Sequence, residues 1–224
     1  MIKKFKKVVD KHPSKHLFKS QTNTKEIKVI IFDVGGVLLK SRNKSIHEYM
    51  SKKLKVSLED WFDSIEQYWD EMIKDESTTN YGLTQIARHY HIPKYKLEAM
   101  FTKGFKKIFR KDYRMFRLLK KLKKTYKIAI LSDQLLMSYN AFKKYRFDER
   151  VDLAIWSHKE GVRKPNIEIY QLIVKRLKVP AESCLFIDNR DWNLIPAKKI
   201  GMKFILFQNF RQLFNQLKVL GVKI

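Results

Sequence analysis

KVIIFDVGG, residues 28–36, is the stretch on which the fold turns. Its first five residues are nearly all apolar and β-branched, and the run is far shorter than a helix needs. Two glycines, Gly35 and Gly36, close it. The reading is a short buried strand followed by a tight turn, with Asp33 standing at the strand's carboxyl end.

Downstream, four runs of the same kind follow: KIAIL (127–131), LAIW (153–156), CLFI (184–187) and KFILF (203–207). After them come segments of helical periodicity at 136–145, 166–177, 193–200 and 210–220. Short apolar strands alternating with helices make a doubly wound α/β fold, a parallel sheet with helices on both faces. From about residue 44 to 124 the pattern is helical only, with no strand. Ser57 and Asp60 resemble a capping box ahead of Trp61, Ile65, Tyr68 and Met72. The simplest organisation is a small helical cap at 42–112 inserted after the first strand, with the α/β core at 27–41 and 113–224. Trp61, Tyr68, Trp69 and Tyr81 are read as interior residues of that cap. Upstream, residues 1–26 form a basic extension with one short helix around residues 2–9.

The chain has 224 residues, 44% of them hydrophobic and 13% aromatic, which excludes general disorder. Cys184 is the single cysteine, so no internal disulfide can form. No apolar run approaches the roughly 20 residues of a membrane span, and no apolar stretch follows the basic start as a secretory signal would require. A cytoplasmic protein with no membrane partner is the expectation. The net charge of +25 concentrates in the first 19 residues and in 103–127. Such charge attracts polyanions in a salt-sensitive way. Lysine outnumbers arginine, whereas base-reading surfaces favour arginine, so a solvated basic surface is preferred to a nucleic-acid partner. Oligomeric state is not legible.

In an open parallel sheet, ligands bind at the carboxyl ends of the strands. The residues standing there are Asp33, then Ser132 with Asp133, then Lys164 in the segment after the 153–156 run, then Asp188 with Asn189. Each alone is commonly a turn former or a helix cap. Together they bring two carboxylates, a hydroxyl and an ammonium to one edge. The carboxylates suit a hard cation such as Mg²⁺, and the other two groups suit phosphoryl oxygens.

On these residues the chain resembles the haloacid dehalogenase superfamily. IIFDVGGVLL (30–39) is similar to its first motif, IAILSD (128–133) to its second, SHKEGVRKPNIEIY (157–170) to its third and CLFIDNRDWNLIPAKKIGM (184–202) to its fourth. All four occur in order over about residues 28–207. The resemblance implies a nucleophilic Asp33 that forms an aspartyl-phosphate, with Ser132 and Lys164 as catalytic partners. It implies phosphate binding by Gly35, Gly36, Ser132, Asp133 and Lys164, and Mg²⁺ held by Asp33, the Gly35 carbonyl, Asp188 and Asn189. The substrate would be a small phosphorylated metabolite. Four positions depart from the pattern. Gly35 stands where most phosphatases of the family carry a second Asp that protonates the leaving group. Asn189 and Trp192 replace acids, and Asp133 replaces the more usual Asn. His47 or Asp133 is the candidate substitute proton donor. Two other functions stay open: a metal-independent dehalogenase, for which Gly35 is no handicap, and a weakly catalytic protein that binds polyanions.

Overall fold

The computed structural model describes residues 25–41 and 45–224. The helix expected near residues 2–9 lies outside them. Along the chain the elements are β1 (Val29–Phe32), β2 (Leu39–Ser41), α1 (Ile46–Leu54), α2 (Leu58–Met72), α3 (Glu76–His89), α4 (Lys94–Ile108) and β3 (Phe109–Lys111). Then come α5 (Tyr113–Leu122), β4 (Lys127–Ser132), α6 (Leu136–Phe142), the one-turn α7 (Phe147–Arg150), β5 (Leu153–Trp156) and the one-turn α8 (Ser157–Glu160). The last are α9 (Ile167–Leu177), β6 (Cys184–Asp188), α10 (Asp191–Lys199), β7 (Lys203–Leu206) and α11 (Phe210–Val219).

β1 is the centre of a five-stranded parallel sheet in the order β5-β4-β1-β6-β7. The pleat sends alternate side chains to opposite faces. Ile30 and Phe32 join Ile128, Ile130, Leu185 and Ile187 on one face, where α5 and α11 add Leu119, Leu213 and Leu217. Val29 and Ile31 join Ala129, Leu131 and Phe186 on the other, under Ile169, Ile173 and Leu194 of α9 and α10. Both faces are covered, so every position of β1 is fully buried, and the doubly wound α/β architecture read from the sequence is the one observed. The register pairs Phe32 with Ile130 of β4 and Ile187 of β6. Asp33, Leu131 and Asp188 therefore leave the sheet level with one another, and Ser132 follows directly.

Four helices, α1 to α4, fill the chain between β2 and β3. Their interior centres on Trp61, Ile65, Met72, Leu83 and Phe101, each at most 1% exposed. Ser45 and Glu48 form a reciprocal capping box at the start of α1, which the sequence reading missed. Ser57 caps α2 by accepting the Asp60 N–H at 3.0 Å, but its hydroxyl donates to the Asp60 carboxylate at 2.7 Å. The expected capping box at Ser57 is thus only half formed. The stretch 44–124 was also expected to hold no strand. Phe109–Lys111 pairs antiparallel with Leu39–Ser41 instead, so a two-stranded ribbon closes the root of the insert. Two of its three residues on the later strand are Arg110 and Lys111, which hid the strand inside a basic run.

Candidate active site

Lys164 is the pivot. Its ammonium donates to Asp33 Oδ1 at 2.8 Å and to Asp188 Oδ2 at 2.7 Å. All three residues are buried, with Asp188 at 0% exposure and Asp33 at 6%. A buried lysine would ordinarily lose its proton. Here two carboxylates hold the charge, and the Lys164 pKa rises despite burial. Asp33 feels the opposite pressures. Burial pushes its carboxyl up to about 6, while the Lys164 ammonium pulls it down.

The neighbours fix these groups in place. Asp188 accepts the Arg190 N–H at 2.8 Å on Oδ1 and the Asn193 side-chain amide at 2.9 Å on Oδ2. Asp133 Oδ1 accepts the backbone N–H of Lys164 at 3.0 Å, so its side chain anchors the lysine's segment. Burial raises its pKa. Gln134 Nε2 donates to Ser132 Oγ at 2.9 Å. With that lone pair engaged, the Ser132 proton is left to donate elsewhere.

The two glycines differ. Gly36 has φ +91°, and a Cβ there would lie 2.6 Å from the Asn189 amide nitrogen. The turn needs glycine on both counts. Gly35 has an ordinary backbone, and a Cβ there would meet only the edge of the Phe109 ring, at 3.9 Å. Packing does not demand a glycine at 35.

Above these residues lies a cavity of about 530 Å³. Its floor is Asp33, Ser132, Lys164, Asn189, Arg190 and Asn193. Its walls are aromatic and aliphatic: Trp69 and Ile73 from α2, Phe105 from α4, Phe109 from β3, and Leu135 and Phe142 from the core. Phe109 and Phe142 meet edge to face at 5.5 Å. His47, also on the wall, packs against Trp69 at 4.6 Å and accepts the Trp61 indole N–H at 3.2 Å on Nδ1. Burial lowers its pKa to about 4, so it is neutral near pH 7. The insert is also tied to the core. Gln134 N–H donates to Ser157 Oγ at 3.0 Å, and Ser157 donates to the Ile73 carbonyl at 2.7 Å. Arg163 pairs with Asp70 at 2.7 Å.

The structure therefore brings together Asp33, Ser132, Asp133, Lys164 and Asp188, with Gly35, Gly36 and Asn189 beside them. Sequence reading missed Gln134, Arg190 and Asn193, although the last two follow Asp188 within one turn and one helix start. It also missed the cavity wall. Trp69 is half-buried on the cavity rather than interior to the helices, and Tyr81 is 61% exposed.

The donor set fits a divalent cation. Asp33 and Asp188 carry two negative charges against one on Lys164. Among the described residues no hydrogen bond reaches Asp33 Oδ2. The oxygens of Asp33, Asp188, the Gly35 carbonyl and the Asn189 amide are the hard donors Mg²⁺ prefers. No group of three or more His, Cys, Asp or Glu among the described residues could hold a metal, so any such ion would keep several waters.

Comparisons with known proteins bear on the family and the fold. The model of the haloacid dehalogenase-like hydrolases matches residues 27–201. A sesquiterpene phosphatase, AstK of Aspergillus oryzae, is 26% identical over 180 residues, covering 78% of this chain and 87% of that protein. A predicted HAD-like family hydrolase from Porphyromonas gingivalis superimposes with a TM-score of 0.73 at 19% identity, over 89% of this chain and all of that one. A HAD family enzyme from Bacteroides thetaiotaomicron, crystallised with magnesium and inorganic phosphate, gives a TM-score of 0.66 at 18% identity, over 84% of this chain and 99% of that one.

Proposed function

The chain belongs to the haloacid dehalogenase-like hydrolase family, and from that premise we propose that it is a phosphomonoester hydrolase acting on a small phosphorylated metabolite through an aspartyl-phosphate on Asp33. The observation that carries this reading is the Lys164 ammonium held between the Asp33 and Asp188 carboxylates at the floor of the cavity.

Asp33 Oδ2 attacks phosphorus as the bond to the ester oxygen breaks, and the oxygen leaves with the bonding pair and takes a proton from water. Lys164 keeps Asp33 ionised and holds its other oxygen still. Ser132 donates to a phosphoryl oxygen, oriented by Gln134. Water then attacks phosphorus, releasing inorganic phosphate and restoring the carboxylate. Mg²⁺ bound by Asp33, Asp188, the Gly35 carbonyl and Asn189 would offset the repulsion between nucleophile and phosphate dianion. The insert at 42–112 acts as the cap that excludes water and contacts the organic group.

The test is phosphate release from an aryl phosphate with Mg²⁺. Asp33→Asn should lower turnover on the order of 10⁴-fold, as loss of a covalent nucleophile does elsewhere. Activity that survives this change sinks the reading. Gly35 favours a second reading, halide displacement, which needs no proton donor. Turnover of a 2-haloacid that persists in EDTA would select it.

A further inference from the structure

The cavity has two chemically distinct ends, and the far end says what kind of ester enters. Near the nucleophile it is charged and rich in donors. Away from it, Trp69, Ile73, Phe105, Phe109 and Phe142 supply ring faces, ring edges and methyl groups. Trp69, Ile73 and Phe109 are only half-buried, so part of each side chain is uncovered by protein.

Several polar side chains of that end already have partners. Gln134 bonds Ser132 and accepts from Ser138, and Arg163 is paired with Asp70. His47 has spent Nδ1 on Trp61. A polyol brought here would leave its hydroxyls without partners, which an apolar site penalises.

The apolar wall also reaches the reacting centre. The Phe109 ring edge flanks Gly35, two residues from Asp33, beside the place where an acidic side chain would otherwise stand. An organic group bound there meets an aromatic ring instead of an acid.

We propose that Phe109 and Trp69 determine specificity, and that the substrate is the phosphate ester of an apolar alcohol or phenol rather than of a sugar. This rests on the phosphatase reading for its chemistry but not for its binding preference. At about 530 Å³ the cavity is of a size that encloses such a molecule.

The experiment uses 1-naphthyl phosphate and glucose 6-phosphate as probes. Binding of each to the Asp33→Asn protein with Mg²⁺ is measured by titration calorimetry, and turnover of each by the unaltered protein. The naphthyl ester should bind on the order of 100-fold more tightly. Adding Phe109→Ala or Trp69→Ala should cut that ratio about tenfold. Two positions on different elements keep the test sound if one variant misfolds. Equal binding of the two esters, no binding of the naphthyl ester, or a ratio unmoved by both substitutions overturns the proposal. If neither ester is turned over, the phosphatase reading falls, while the binding ratio still decides this one.

Discussion

At the floor of the cavity, one ammonium sits within 2.8 Å of each of two carboxylates, out of water. On its walls, rings from the insert and the core meet at 4.6 to 6.4 Å with no charge among them. The floor is rigid because each charge would be costly if its partner moved. The walls are held by dispersion and area, which tolerate substitution more gradually. The two ends of the cavity are thereby held by different kinds of interaction.

Breaking the floor should have the largest effect on folding. Lys164→Met leaves Asp33 and Asp188 facing each other in the interior. The loss should be about 3–5 kcal/mol in urea unfolding at pH 7, as for other buried pairs deprived of one member. Part of it should return as the pH falls to 6 and below, because protonating Asp33 removes the repulsion. An unchanged midpoint would mean the floor is not held by charge.

Moving one floor property into the wall tests the boundary between them. Gly35→Asp has room, since the nearest obstacle is the Phe109 ring edge. It should speed hydrolysis of an alkyl phosphate, whose leaving group needs a proton, by about 10²-fold or more. It should help an aryl phosphate far less. Equal gains for both would show that proton supply is not what distinguishes them.

Acid should separate the regions by sign. Burial holds both His47 and His158 at about 4, below the ordinary 6.5. The unfolded chain protonates them first, so stability falls as pH drops from about 6.5 to 4. Asp33 acts oppositely in metal-free protein. Its raised pKa of about 6 means the folded chain binds its proton first, adding stability as pH falls from about 6 to 3.8. Thermal melts should show Asp33→Asn steepening the acid loss and His47→Gln reducing it.

How far each region was legible follows from the same contrast. Every floor residue except Lys164 lies within five positions of a strand end, and the strands announce themselves locally through composition. The five strands of the parallel sheet begin and end within a residue of the quoted runs. The walls depend on which way helices are rotated about their axes. Trp61 and Trp69 lie on one helix and were read alike. One is fully buried among helices and the other lines the cavity. No local signal separates them, because the difference is made by α4 and α6 arriving from elsewhere in the chain. Arg190 and Asn193 were within reach, since their bonds to Asp188 are local. The β2–β3 ribbon was not, because its partners are some 70 residues apart.

That ribbon has a structural corollary. Ser41 pairs directly with Phe109, so the chain departs from the core and re-enters it through a single doorway. Whatever is threaded between those two positions, long or short, leaves the parallel register of β1 with β4 and β6 untouched. Excising 45–108 and rejoining the ends with a tight turn should yield a shorter chain that keeps its sheet. The insert thus joins the fold at one place, and the sheet that carries Asp33 and Asp188 is built without it.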